Sequence, residues 1–415
     1  MLISMALVLA GGLAAGSLFR RLRLPALPGM LLVGILLGPS VWGLLDEKLL
    51  SVSPELRQIA LMIILLRAGL ALDLSDLKAV GRPAVLMCFV PACFEILGTV
   101  AAAPRLLGLS LTEAALLGSV TAAVSPAVVV PRMLDLMKQK RGTAHRIPQL
   151  ITAGASVDDI FVIVLFGAFS SLLKGGSISV MTAVEVPAAV VSGIAVGAAA
   201  GAVLVAFFKR FHMRDTVKVL ILLAVSFAFA GIEPAVRNVM PFSGLLSVMV
   251  IGMTVRKRYP LLADRITGKF SKLWVAAELW LFVLVGAAVQ PALIRTAGAA
   301  VAAVIGGALL FRCVGVLLCT VGTRLTLRER LFCTAAYLPK ATVQAAIGSA
   351  ALDMGLACGG IVLTAAVTAI LVTAPLGAVL IDTLAPRLLE TEESPGLSAD
   401  GKPDAGTGES KRPKR

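Results

Sequence analysis

Residues 148–173 read PQLITAGASVDDIFVIVLFGAFSSLL, an apolar run that carries two adjacent acids, Asp158 and Asp159. A bilayer-crossing helix needs about 20 apolar residues, so the run is long enough to span a membrane. A charge at the bilayer centre costs roughly 2.5–3.5 kcal/mol on insertion scales, and two like charges side by side raise each other's cost. Such a pair therefore calls for a functional reason. The chain around it is of the same kind: 415 residues, 58% hydrophobic, 15% charged, with a mean hydropathy of +0.95. Too few charged residues are present to coat a soluble domain of this length. The ten-residue alternation of a membrane β-barrel does not occur. The composition indicates an all-α polytopic membrane protein.

Reading outward from 148–173 gives about 13 transmembrane helices, at 3–19, 25–45, 58–72, 83–104, 112–131, 148–173, 180–208, 216–231, 240–255, 273–290, 293–320, 330–351 and 357–385. Between them the basic residues alternate. The odd-numbered loops hold 23, among them Arg20, Arg132, Lys209, Arg256 and Arg324; the even-numbered loops hold six: Lys48, Arg57, Arg105, Lys174, Arg237 and Arg295. The positive-inside rule puts the odd loops in the cytoplasm, with the N-terminus outside and the C-terminus inside. The net charge of +14 thus reports topology and no nucleic-acid partner. The basic cluster Arg20–Arg23 follows the first apolar run, so no cleavable signal is expected. The six cysteines (88, 93, 313, 319, 333 and 358) lack metal-ligand spacing and read as small packing residues. His145 and His212 fall in loops and read as solvated. Residues 386–415 are polar and rich in Gly and Pro, the composition of a disordered tail.

Within the apolar runs the ionisable residues are Glu95, Asp158, Asp159, Arg312 and Lys340, with Arg67, Glu185 and Glu278 nearer the margins. Three acids against two bases near mid-depth leave one carboxylate without a permanent partner. Neighbours on a helix point about 100° apart, so one aspartate can meet a base while the other faces a cavity. A carboxylate poised in that way binds either a proton or a metal cation, and the two compete. This is the chemistry of proton-coupled cation exchange. Two stretches add the means to bind a cation. Pro126 and Pro131 lie in TAAVSPAVVVP (121–131), and Pro339 lies in YLPKATVQAAIG (337–348). A proline-broken helix frees carbonyls, and at membrane depth this is tolerated where the backbone lines a cavity. The carbonyls of Thr121–Ser125, Val124 included, with the hydroxyls of Thr121 and Ser125, are hard oxygen ligands suited to Na⁺ or Li⁺. Pro126 and Pro339 are 213 residues apart, Glu95 and Arg312 217 apart, and each charged helix precedes a broken one. An inverted repeat with its site at the crossing of two broken helices would produce that spacing.

LLRAGLALDL (65–74), SPAVVVP (125–131), GASVDDI (154–160) and LPKATVQAAIG (338–348) resemble the sodium/proton antiporters of the monovalent cation:proton antiporter superfamily. The likeness is to the NHA-type branch, with bacterial NapA-like proteins as cousins, over residues 1–385. It implies an NhaA-like inverted repeat with two crossed broken helices. Scaffold and dimerisation helices would lie at 1–73 and 216–290, a linker helix at 180–208, ion-transport core halves at 82–173 and 293–385, and a cytoplasmic tail at 386–415. The resemblance implies that Asp158 and Asp159 exchange cation and proton. Arg312, Glu95 and Lys340 would balance charge, and Pro126 and Pro339 would mark the helix breaks. It further implies a homodimer in the cell inner membrane, no cofactor beyond the transported ions, alternating access of elevator type, and no enzymatic activity. Arg312 stands where many two-aspartate relatives have lysine. Arginine does not release a proton in the working range, which leaves stoichiometry open. A K⁺/H⁺ antiporter of the same fold and an anion or organic-acid symporter of similar fold are the alternatives. The first would ordinarily bring a nucleotide-binding domain, and the second has no need of paired aspartates. An intramembrane aspartyl protease would need its aspartates on two facing helices.

Overall fold

The computed structural model describes residues 1–72, 80–174, 180–236 and 242–391, without the side chains of 180–187 and 234. Asp73, Lys78, Arg237, the Glu185 side chain and residues 392–415 of the expected tail lie outside the described residues. Among the described residues the chain is helical apart from turns and one isolated β-bridge, Arg141 with Thr391. The helices are α1 (Leu2–Arg21), α2 (Ala26–Leu37), α3 (Glu47–Ser51), α4 (Ser53–Ala71), α5 (Arg82–Met87), α6 (Val90–Leu107), α7 (Leu111–Thr121), α8 (Pro126–Lys138) and α9 (Ile147–Lys174). They continue with α10 (Val180–Arg210), α11 (Asp215–Val236), α12 (Gly244–Arg258), α13 (Pro260–Ala287), α14 (Pro291–Cys319), α15 (Leu327–Ala336), α16 (Thr342–Asp353) and α17 (Gly359–Leu388). Nine helical segments among the described residues are long and apolar enough to cross a membrane. The expected runs at 25–45, 58–72, 240–255 and 330–351 hold shorter, more polar or interrupted helices.

The two interrupted elements start alike. Ser110 caps α7 and Thr326 caps α15, each in a capping box closed by a glutamate three residues on, Glu113 and Glu329. In each box the glutamate satisfies the cap residue's N–H, Ser110 N to Glu113 Oε2 at 2.9 Å and Thr326 N to Glu329 Oε2 at 2.7 Å. Both helices then stop at mid-length. Residues 122–125 and 337–341 are non-helical, and α8 and α16 resume the course. Pro126 opens α8, where its missing N–H costs nothing. Pro131 sits inside α8 without ending it, so the first break lies before Pro126 and not at both prolines. The breaks meet where Ser125 N donates to Pro339 O at 2.8 Å.

The charged helices α6 and α14 pack antiparallel beside the crossing. A Cβ on Gly98 would meet Ala308 Cα at 3.0 Å, and one on Gly315 would meet Pro91 Cα at 2.9 Å. Each glycine lies three residues after a charge, Glu95 or Arg312, so close backbone approach on both sides brings the two charges together. A second set of helices (α1, α2, α4, α12, α13) packs by the same device. A Cβ on Gly69 of α4 would lie 2.2 Å from Met249 O of α12, and one on Gly286 of α13 would lie 2.2 Å from Leu31 O of α2.

Three boundaries differ from the sequence reading. Helix α13 begins at Pro260, not 273, so Arg265, Lys269 and Lys272 ride on its first turns. Their polarity masks a helix that carries its basic end beyond the apolar run. Helix α17 runs on to Leu388, past the expected tail boundary at 386, and Gly142 N donates to Glu390 O at 2.8 Å. Arg57, expected in a loop, is 5% exposed on α4; it meets Asp353 Oδ1 at 2.5 Å and Leu284 O at 3.4 Å.

Candidate functional site

Where a helix breaks, α7 and α15 end in unsatisfied carbonyls and α8 and α16 begin with unsatisfied N–H groups. Each end is answered by a buried side chain. Arg312, fully buried on α14, donates from Nε to Tyr337 O at 2.6 Å and from Nη1 to Ala122 O, the C-cap residues of α15 and α7. A cation is the complement that two helix C-termini favour. On the other side, Val124 N donates to Asp158 Oδ2 at 2.9 Å, ahead of α8, which places an anion at the positive end of that half-helix. Arg312 Nη2 reaches the same Oδ2 at 3.0 Å, and Nη1 also reaches Glu95 Oε2 at 2.8 Å. Lys340 Nζ completes the network on Glu95 Oε2 at 2.6 Å, while its own N–H donates to Thr373 Oγ1 of α17 at 2.9 Å.

The bases expected to balance charge divide between the acids. The lysine lies on Glu95, and Arg312 is the base on Asp158. The guanidinium can serve four acceptors in different directions, which an ammonium cannot. Among the described residues no cation comes within ion-pairing distance of Asp159, which is 7% exposed, and its Oδ1 has no hydrogen-bonding partner. Asp158 Oδ1 and Ser125 Oγ are likewise buried without a partner. Glu95, Asp158 and Asp159 outnumber Arg312 and Lys340 by one, and among the described residues Asp159 is the acid of this group without an ion-pair partner.

Other sequence candidates are placed differently. The Thr121 hydroxyl is turned back on its own helix, donating to Leu117 O at 3.2 Å and Gly118 O at 3.3 Å. The carbonyls of Thr121 and Ala123 accept from Gln344 Nε2 at 3.4 and 2.6 Å, and that of Ala122 accepts from Arg312. Most of the freed backbone is thus occupied by side chains, and Val124 donates its N–H to Asp158. Arg67 and Glu278, half-buried on α4 and α13, take no part in these contacts. His145 Nδ1 lies 2.8 Å from Glu329 Oε1, so this loop histidine is a contact of the α15 cap.

Sequence reasoning missed Gln344 and Tyr337. Gln344 sits three residues after the break residue Ala341 and accepts from its N–H at 2.8 Å, the position of a capping glutamine; that spacing was a readable signal. Tyr337 wedges its hydroxyl onto Met87 O at 3.2 Å, and a Cβ on Gly154, one turn before Asp158, would lie 2.1 Å from it. Among the described residues no group of three or more His, Cys, Asp or Glu side chains is gathered as for a resident metal ion.

Comparison with known proteins adds to this geometry. The sequence model for the sodium/hydrogen exchanger transmembrane family matches residues 5–385. The chain belongs to the sodium/hydrogen exchanger family. Human sodium/hydrogen exchanger 9B2 is 35% identical over 399 residues, covering 91% of this chain and 73% of the human one. Human sodium/hydrogen exchanger 9B1 is 28% identical over 423 residues, 95% of this chain and 79% of the other. The solved structure of the sodium proton antiporter MjNhaP1 from Methanocaldococcus jannaschii superposes with a TM-score of 0.80. It is 20% identical and covers 92% of this chain and 97% of that one, a likeness of fold. This exchanger is therefore a multi-pass membrane cation/proton antiporter and not an enzyme; its ions are cargo, and the family needs no cofactor.

Proposed function

We propose that the protein exchanges Na⁺ or Li⁺ for H⁺, with Asp159 as the carboxylate that cation and proton occupy in turn. The observation that carries this is the charge count: among the described residues Asp159 is the buried acid of the crossing with no base at ion-pairing distance. A buried carboxylate left without a counter-charge takes up a cation or a proton to become neutral. Asp158 is the fixed second ligand, held through Oδ2 and presenting Oδ1, and Ser125 Oγ is the neutral third. Small hard cations suit oxygen ligands of this kind.

Alternating access follows as an elevator-like movement. The core at 82–173 and 293–385 carries the site as one body past the scaffold at 1–73 and 216–290, with the helix at 180–208 linking them. The packing supports the division: Glu95, Arg312, Asp158 and Lys340 tie α6, α9, α14 and the two broken elements together. The glycine crossings join α2 to α13 and α4 to α12. The basic-loop asymmetry supports an outside N-terminus and a cytoplasmic C-terminus in a cell inner membrane, and the resemblance to dimerising antiporters supports a homodimer. Solid-supported-membrane currents in proteoliposomes test the reading, with Na⁺, Li⁺ and K⁺ jumps at several pH values. Na⁺- and Li⁺-driven currents lost in Asp159→Asn are expected; undiminished currents in that variant would overturn it.

A further inference from the structure

The geometry points to Gln344 as a specificity-determining residue: its amide withholds two backbone carbonyls from the cation and so sets the ligand number at the aspartates. The inference rests on the Asp158–Asp159 seat proposed above. A broken helix at a cation site exposes carbonyl oxygens, and in this protein three consecutive carbonyls at the first break, those of Thr121, Ala122 and Ala123, accept side-chain donors. Arg312 on Ala122 O belongs to the ion network and cannot be exchanged without dismantling it. Gln344 is neutral, fully buried and fixed at both ends of its amide. Oε1 accepts from Ala341 N at 2.8 Å, which leaves Nε2 directed at Ala123 O, 2.6 Å, and Thr121 O, 3.4 Å. The acceptor bond at Ala341 also decides which end of the amide is nitrogen.

With those carbonyls occupied, the buried side-chain oxygens left without a partner on Ser125, Asp158 and Asp159 are two carboxylate oxygens and one hydroxyl. Few ligands of high field favour a small cation, whereas a larger one such as K⁺ is served by more, weaker carbonyl dipoles. Taking the amide away returns two neutral oxygens to the break and moves preference toward K⁺.

The test is the ratio of apparent KM for K⁺ over that for Na⁺, read as transport currents in proteoliposomes at fixed pH. Gln344→Met keeps the length and removes both hydrogen-bonding ends, and the ratio should fall about tenfold, equivalent to about 1.4 kcal/mol. Thr373→Val is the control. It removes the bond to Lys340 N at the second break and frees no carbonyl of the first, so its melting temperature should drop with the ratio unmoved. Should the methionine variant not reach the membrane, Gln344→Asn, too short to hold both bonds, is read in the same way. A Gln344 variant whose ratio stays within about twofold of the parent, in a protein whose exchange still depends on Asp159, overturns the inference. So does an equal shift in Thr373→Val, which would mark any loosening of the crossing as the cause. Full exchange in Asp159→Asn would instead remove the seat on which the inference stands.

Discussion

Glu95→Gln takes the charge from the carboxylate that Lys340 touches. Glu95 is 1% exposed, and its Oε2 holds Lys340 Nζ at 2.6 Å and Arg312 Nη1 at 2.8 Å. Two unit charges 2.6 Å apart attract by about 6 kcal/mol at an effective dielectric of about 20, an upper bound on the loss. Breaking a buried pair from one side costs about 3–5 kcal/mol, because the surviving charge stays buried. Arg312 retains Asp158 as a counter-charge, so the loss falls on Lys340, whose remaining bond runs through its backbone. The glutamine carbonyl still accepts one hydrogen bond, which places the expected loss near the lower figure, about 3 kcal/mol. With an unfolding entropy of roughly 2 cal/mol/K per residue, the melting temperature of a chain this size falls by about 4 °C. Adding Lys340→Met removes the stranded charge, and the double variant should return to within about 1 kcal/mol of the parent, since a neutral replacement of a buried pair is often close to neutral. Thermal unfolding of the detergent-solubilised protein, followed by circular dichroism over the double-mutant cycle, measures the coupling. Losses that simply add would refute the pairing of Lys340 with Glu95.

The two aspartates should separate by stability. Asp159→Asn should abolish exchange at near-parent melting temperature, whereas Asp158→Asn should also unfold earlier, since it strips Arg312 of a counter-charge; matching melting temperatures would contradict the assigned roles. Arg312→Lys should lose about 2–4 kcal/mol, because one ammonium cannot reach Ala122 O, Tyr337 O, Glu95 and Asp158 together; a thermal scan with unchanged midpoint would count against it. Ser125→Ala should raise the apparent KM for Na⁺ severalfold without a stability loss, since Oγ makes no bond within the described protein; an early melt with unaltered KM would make the hydroxyl structural. Gly69→Ala should cost about 1–3 kcal/mol by forcing α4 off α12, and a parent-like midpoint would show that the crossing can relax.

The apolar runs, the alternation of basic loops and the scarcity of buried charge made the membrane class and the helical fold legible from sequence. The reason is that hydrocarbon tolerates few residue types and few backbone forms. Three acids against two bases told that one carboxylate would stand alone, and the prolines told roughly where helices break. The sequence carries a further sign of the repeat: the caps Ser110–Glu113 and Thr326–Glu329, 216 residues apart. Only the tertiary structure decided which base meets which acid. Glu95, Asp158, Arg312 and Lys340 lie up to 245 residues apart in the chain, and pairing depends on directions that spacing does not hold. The same applies to the carbonyls of Thr121 and Ala123, which look like cation ligands until Gln344 is seen to occupy them. It applies to Arg57 too, a loop residue by composition that the packing of α4, α13 and α16 buries on Asp353. Local sequence settles what each residue can do in hydrocarbon; which carboxylate is left without a base beside it is decided by the long-range contacts that pair the others.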